Sequence, residues 1–135
     1  MKLLLVVCFA AFTAFAAMPT GQDEADLSAA MKSVFPTQGS LRKNVTEKNA
    51  DGAKADAAKL EAIFKTSEDF WKKRNTQDAV EWSQTAKAAA AEIGQLAGAG
   101  EWEKLPDVQR KLQGTCMACH GAHREGSRET GYKIK

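Results

Sequence analysis

Residues 77–100 read QDAVEWSQTAKAAAAEIGQLAGAG, and this stretch decides the fold. Its apolar side chains recur at steps of three and four residues, which is the spacing of one face of an α-helix. They are Ala79, Trp82, Ala86, Ala89, Ile93 and Leu96. The alanines allow a neighbouring helix to approach closely, and Gly98-Ala99-Gly100 is a typical helix stop. The stretch therefore predicts an amphipathic helix over residues 77–97 that packs against another helix.

Three further stretches have the same periodicity and cover residues 24–48, 51–73 and 101–124. The stripe of the first consists of Leu27, Met31, Val34, Leu41 and Val45. No segment alternates apolar and polar residues as a strand would. Four amphipathic helices with short connections predict an all-α protein, an antiparallel four-helix bundle in up-down-up-down order.

Three local signals refine this prediction. Pro36 lies inside the first helical stretch and should kink or locally break it. Thr76 is a plausible N-cap for the third helix. The residues from Glu125 onward are mostly polar, so we expect a loose tail there.

The first residues of the chain resemble a secretory signal. Lys2 gives a basic start, residues 3–15 are apolar but too short for a stable anchor, and Ala14-Phe15-Ala16 supplies small residues at alternate positions. We expect residues 1–17 to be a signal peptide that is removed, which leaves one domain over residues 18–135 in the periplasm. Cys8 would be discarded with it; a lipoprotein is disfavoured because Val7, just before that cysteine, is not small.

The charge of the chain excludes one class of partner. It has 19 Lys and Arg against 17 Asp and Glu, a formal net charge of +2 at pH 7. A nucleic-acid footprint would need a concentrated basic stripe, and none is present in the sequence. We therefore expect no nucleic-acid partner and no stable membrane insertion.

Cys116-Met117-Ala118-Cys119-His120 carries the most specific chemistry. Two cysteines three residues apart, followed at once by a histidine, are the attachment signature of c-type haem. Residues three apart on a helix point the same way, so both thiols could add to the vinyl groups along one haem edge. The imidazole of the adjoining His120 would then reach the iron. The motif predicts one covalently bound haem c per chain.

Two other uses of these residues remain open at this point. A redox-active dithiol has the same cysteine spacing, but such pairs usually follow a strand at a helix N-terminus, where the dipole lowers a thiol pKa. A zinc site could use Cys116, Cys119, His120 and His123, but four ligands within eight residues of one helix would struggle to close a tetrahedron. Haem is the favoured interpretation.

The sequence resembles the class II c-type cytochromes, the family of cytochrome c′ and cytochrome c556. The clearest stretches are residues 99–105 (AGEWEKL), residues 114–120 (GTCMACH) and His123-Arg124. The resemblance implies a four-helix bundle in which Cys116 and Cys119 hold the haem and His120 is the proximal iron ligand. It also places a basic residue, here Arg124, beside the haem or His120. His123 stands where members commonly carry an aromatic residue, and we interpret it as a partly exposed helix-end side chain.

The distal side of the iron separates two functions in this family, and its residue comes from the first helix. Met31 stands at that place, on the apolar stripe, and its thioether is a soft ligand suited to haem iron. Met18 and Met117 are weaker candidates. We therefore expect a low-spin electron carrier that is not an enzyme and that serves an unidentified redox protein. The alternative is a high-spin cytochrome c′ with an open distal site that binds nitric oxide or carbon monoxide.

The surroundings of this site support weaker expectations. Members of the family often dimerise through their first two helices, so the resemblance allows a homodimer. Trp71, Trp82 and Trp102 are large apolar side chains, for which we favour core packing over a contact with haem. Two basic stretches, Lys72-Lys73-Arg74 and the C-terminal tail, could steer an acidic redox partner, although a solvated surface is the simpler interpretation.

Overall fold

The computed structural model describes residues 20–135, so the predicted signal peptide and Cys8 lie outside the described residues. Four helices span Gly21–Thr46 (α1), Ala50–Lys73 (α2), Gln77–Gly98 (α3) and Leu105–His123 (α4). A single 3₁₀ turn, Trp102–Lys104, precedes α4, and a hairpin of β1 (Arg124–Ser127) and β2 (Gly131–Ile134) follows it. The prediction of a helical protein with four helices packed against each other is confirmed. Among the helices of residues 20–135, none is long and apolar enough to cross a bilayer.

The helix starts follow from local hydrogen bonds. Thr20 and Asp23 form a capping box, in which the Thr20 hydroxyl accepts from the Asp23 N–H at 3.3 Å and the Thr20 N–H donates to the Asp23 carboxylate at 2.7 Å. Asn49 caps α2 by accepting from the Gly52 N–H at 3.1 Å. Thr76 is the residue before α3 as predicted, but its side chain makes no capping hydrogen bond.

Of the two effects predicted for Pro36, a kink or a local break, the break does not occur, because α1 is helical on both sides of this residue. Proline leaves the carbonyl of the residue four positions earlier, here Lys32, without its helical donor. Both Lys32 and Pro36 are exposed, so water can reach that carbonyl. The Thr37 hydroxyl also donates to the Ser33 carbonyl at 2.7 Å, which adds a hydrogen bond at this turn.

The helices pack in chain order, α1 on α2, α2 on α3 and α3 on α4, while the backbones of α1 and α4 approach each other closely at few points. The largest fully buried side chains are those of Leu41, Leu60, Ile93 and Leu105, one from each helix. The contact of α2 with α3 is close, as the alanines predicted: a Cβ added at Gly94 would lie 3.3 Å from that of Ala57.

The prediction of a loose tail is wrong, since residues 124–134 form an antiparallel hairpin. Its backbone depends on Gly126, which has φ +90°, and a Cβ there would collide with the Gly131 carbonyl oxygen. Ile134 packs against the buried cluster that contains Leu27 and Trp71. The hairpin is therefore part of the packed structure.

A buried carboxylate joins α2 to α3. Only 6 % of the Glu68 side chain is exposed, and it accepts hydrogen bonds from Lys72 at 2.5 Å, from Gln84 at 3.0 Å and from Lys87. These donors lower the pKa of Glu68 to about 2, with the Lys72 bond contributing most. A carboxylate paired in this way contributes stability while it is charged.

We expect Glu68→Gln to lower the free energy of unfolding by about 2 kcal/mol near neutral pH, because the two lysines lose their buried partner. Since the pKa of Glu68 is depressed in the folded state, its contribution is complete above the unfolded value of 4.5 and is lost as pH falls toward 2. Urea unfolding of both proteins across this range should show the difference shrinking. Asp69→Asn is the control: its pair with Lys65 is exposed to solvent, so its loss should change the free energy of unfolding much less. Equal losses for both variants would contradict the assignment.

Candidate functional site

A single cavity of about 1320 Å³ brings the predicted site residues together. Its walls come from all four helices and from the hairpin. It exceeds the roughly 300–1000 Å³ that is usual for sites of small ligands. The residues predicted to bind haem or its iron all line it, namely Met31, Cys116, Cys119, His120 and Arg124.

The two cysteines lie on one face of α4, as their spacing requires. Both are free thiols and partly buried. Cys116 packs against the larger of two buried clusters, here called the main core, which contains Leu60, Ile93 and Leu105. Cys119 packs against the smaller cluster around Trp71. Burial raises the pKa of Cys116. Burial, together with Cys116 and the carboxylate of Asp78, raises the pKa of Cys119 to about 11.

These shifts bear on the dithiol interpretation. Reactive cysteines are activated by a lowered pKa, because the thiolate is the nucleophile. The raised pKa values keep Cys116 and Cys119 as neutral thiols at neutral pH. Their surroundings therefore lack the activation that a cycling redox dithiol requires.

His120 follows Cys119 in the last turn of α4. Burial, and secondarily the positive charge of Arg124, lower the pKa of His120. Its imidazole is therefore neutral at neutral pH, which is the form that ligates a metal. The guanidinium of Arg124 lies 4.2 Å from the ring centre of Tyr132 in the hairpin. Arg124 is thus held near His120 by an aromatic contact.

Met31 reaches the same cavity from α1. Its side chain is partly buried and packs against both core clusters, and it contributes to the cavity wall. The rival Met117 also lines the cavity, but 68 % of it is exposed. Met18 lies outside the described residues.

Part of the cavity wall was not foreseen from the sequence. The His123 side chain is only 17 % exposed, and its Nε2 lies 2.9 Å from an Asp78 carboxylate oxygen. Its ring centre is 5.0 Å from that of Trp71 and 5.9 Å from that of Trp82. The hydrogen bond to His123 lowers the pKa of Asp78. His123 is thus a partly exposed side chain at the end of α4, as predicted, and it connects this end to the start of α3, a contact that the sequence did not reveal.

The tryptophans divide between two environments. Trp71 and Trp82 line the cavity beside His123, whereas Trp102 packs against the main core. The clustering of two aromatic side chains and a histidine could not be inferred from local sequence, because Asp78 and His123 are 45 residues apart. The one local signal was that His123 falls three residues after His120, on the same side of a helix.

The zinc interpretation requires three or more ligands that are grouped in space. Within residues 20–135, no three His, Cys, Asp or Glu side chains are arranged to hold a metal ion. Haem iron makes a different demand, since the porphyrin supplies four nitrogen ligands and the protein needs to supply only one or two. Two thiols and an imidazole from α4 and a thioether from α1, all lining the same cavity, fit that demand. Comparisons of the chain with protein-family models, with curated proteins and with solved structures found no match.

Proposed function

We propose that this protein is a periplasmic one-electron carrier with one covalently bound haem c. The observation that supports the proposal is that Cys116, Cys119, His120 and Met31 border one large cavity. The first three belong to the attachment motif on α4, and Met31 comes from the opposite end of the sequence. A motif that occurred by chance would have no reason to open onto a cavity with a further iron ligand.

Each residue has a defined part in this proposal. The thiols of Cys116 and Cys119 would each add across a vinyl group, forming a carbon–sulfur bond and passing the proton to the neighbouring vinyl carbon, with no net oxidation. His120 would be the proximal ligand and Met31 the distal one. Arg124 would lie on the haem side near His120. The bound haem would supply an iron that alternates between the ferric and ferrous states.

The apolar wall would limit the rearrangement that accompanies electron transfer. Leu27, Val34, Phe64 and Ala86 line the cavity and would exclude water from the iron. A neutral His–Met ligand pair suits both oxidation states and raises the reduction potential. The protein would thus act as a carrier and not as an enzyme.

The arrangement of the helices belongs to the same proposal. The connections between α1 and α2 and between α2 and α3 are each three residues long, residues 47–49 and 74–76. Connections this short join helices that run antiparallel. We infer an up-down-up-down bundle with the haem bound near the end of α4.

The absorption spectrum and the mass of the exported protein test this function. We expect a ferrous form with sharp α and β bands, and a mass larger than that of the mature polypeptide by one haem. A broad high-spin spectrum that shifts on addition of carbon monoxide would instead support the gas-binding alternative with an open distal site. A polypeptide mass without haem, after expression with the haem-attachment machinery, would refute both.

A further inference from the structure

The charges around the cavity are strongly one-sided. Apart from the histidines, six charged side chains line it, and only Glu24 is acidic. The five basic ones are Lys32, Arg74, Arg124, Arg128 and Lys133. The whole chain is close to balance, with 19 basic and 17 acidic residues. Positive charge is therefore concentrated at this opening, and a low-dielectric wall strengthens its field.

Three of these cations are available to a partner. Arg74 forms an ion pair with Glu24 at 3.6 Å, and Arg124 stacks on Tyr132 beside His120. In the part of the chain that the structure describes, Lys32, Arg128 and Lys133 have no ion-pair partner, and all three are exposed. Lys32 belongs to α1 and the other two to the hairpin region, so two separate elements present them.

The other basic stretch that the sequence singled out is neutralised. Lys72 pairs with Glu68, Lys73 with Asp23 and Arg74 with Glu24. This stretch forms the last turn and the C-cap of α2, and each of its three cations has a carboxylate partner. Of the two basic stretches, the C-terminal tail is the one that offers cations without an ion-pair partner among the described residues. The hairpin places two of these cations, Arg128 and Lys133, at the cavity.

The same opening carries the exposed apolar side chains. Within residues 20–135, the large hydrophobic residues that remain exposed are Phe35 at 76 %, Met117 at 68 % and Tyr132 at 51 %. All three line the cavity. Exposed aromatic and methionine side chains surrounded by a charged rim are characteristic of protein-interaction surfaces.

We propose that the cavity opening, with Lys32, Phe35, Arg128, Tyr132 and Lys133 at its rim, is the docking surface for an acidic redox protein. The inference rests on the proposed electron-transfer function. A partner with carboxylates around a small apolar centre would be steered to this opening by charge and would bring its own redox group close to the cavity.

The positive charge at the opening also disfavours a second copy of this chain as the partner that binds there. Two copies meeting face to face through this opening would bring the same cations together, which is unfavourable. A protein is favoured over an anionic membrane because the cations and apolar groups surround a concave opening, whereas a membrane presents a broad flat surface.

An NMR titration of the exported protein tests the surface. The probe is a plant-type ferredoxin, a small acidic redox protein, and amide shifts of the ¹⁵N-labelled chain give both the site and the affinity. We expect the shifts to cluster around Lys32, Phe35, Arg128 and Lys133, and the affinity to fall as salt increases. The triple variant Lys32→Gln, Arg128→Gln, Lys133→Gln should bind about tenfold more weakly.

The matched control removes the same charge elsewhere. Lys48→Gln, Lys54→Gln and Lys111→Gln together alter three lysines that do not line the cavity, and should change the affinity less than about twofold. Equal weakening by both triple variants, or shifts centred on another face, would overturn the inference. So would binding to phosphatidylserine-containing vesicles that requires Lys32, Arg128 and Lys133 while ferredoxin does not bind.

The two proposals fail in different ways in this experiment. The titration measures binding, so it does not require electron transfer. A chain without haem that still binds ferredoxin at the opening would refute the electron-carrier function and leave a binding surface for acidic proteins that has no redox role. A haem-loaded chain that shows no binding at the opening would remove only the docking surface.

Discussion

Met31→Ala should convert the ferrous spectrum from a low-spin to a high-spin form and allow carbon monoxide to bind. The physical reason is that alanine has no atom that could ligate iron, so the distal position becomes vacant. Loss of the thioether should also lower the reduction potential by on the order of 0.1 V, since axial ligands set haem potentials over a range of about 0.8 V. Absorption spectroscopy, carbon monoxide titration and potentiometry measure the three effects.

Met117→Ala is the matched control for this experiment. Met117 lines the same cavity, but it is largely exposed and lies between the two cysteines. Its replacement should leave the spin state and the affinity for carbon monoxide unchanged. If Met31→Ala gives the parent spectrum, Met31 is not the distal ligand, and a high-spin parent protein would point to an open distal site.

The double variant Cys116→Ala, Cys119→Ala should lose covalent haem completely. With the attachment proposed above, this variant would form neither carbon–sulfur bond, so any haem that remained would be held by His120 and by packing and would dissociate on denaturation. Each single variant should keep one bond and therefore retain haem through denaturing electrophoresis. Haem staining of the gel and the mass of the denatured chain measure the result.

Thr115→Ala is a suitable control for the cysteine variants. Thr115 precedes Cys116 in α4 and also lines the cavity, and its hydroxyl donates to the Lys111 carbonyl at 3.0 Å. Its loss removes one local hydrogen bond and no sulfur. Covalent haem in the double cysteine variant, or its absence in Thr115→Ala, would contradict the attachment through Cys116 and Cys119.

The periodic part of the fold was accessible from the sequence because it depends on local spacing. The stripe from Ala79 to Leu96 correctly predicted α3, and its alanines correctly predicted the close approach of a neighbouring helix, which is α2. The bounds of α2 were correct to within one residue. The predicted local break at Pro36 does not occur, because both Lys32 and Pro36 are exposed and water can reach the freed carbonyl, which the local sequence does not show.

The parts that were missed depend on contacts between distant residues. The hairpin has strands of only four residues, too short for alternation to be visible, although Gly126 and Gly131 flank its turn. The pairing of His123 with Asp78 joins two helix ends across 45 residues. The motif around Cys116 was correctly predicted to lie on a helix. Neither the cavity nor the concentration of positive charge around it follows from any one stretch of sequence, because their residues come from all four helices and the hairpin.

The way in which α1 is anchored links its dynamics to the iron. This helix of 26 residues packs mainly on α2, where Asn44 donates to Asp56 at 2.8 Å, and has few close approaches to α4. A helix with one extensive neighbour opens locally at a lower free energy than a central one. A bond from Met31 to iron would fasten α1 across the cavity. Amide hydrogen exchange along α1 would then slow when the sulfur is bound and quicken when carbon monoxide displaces it.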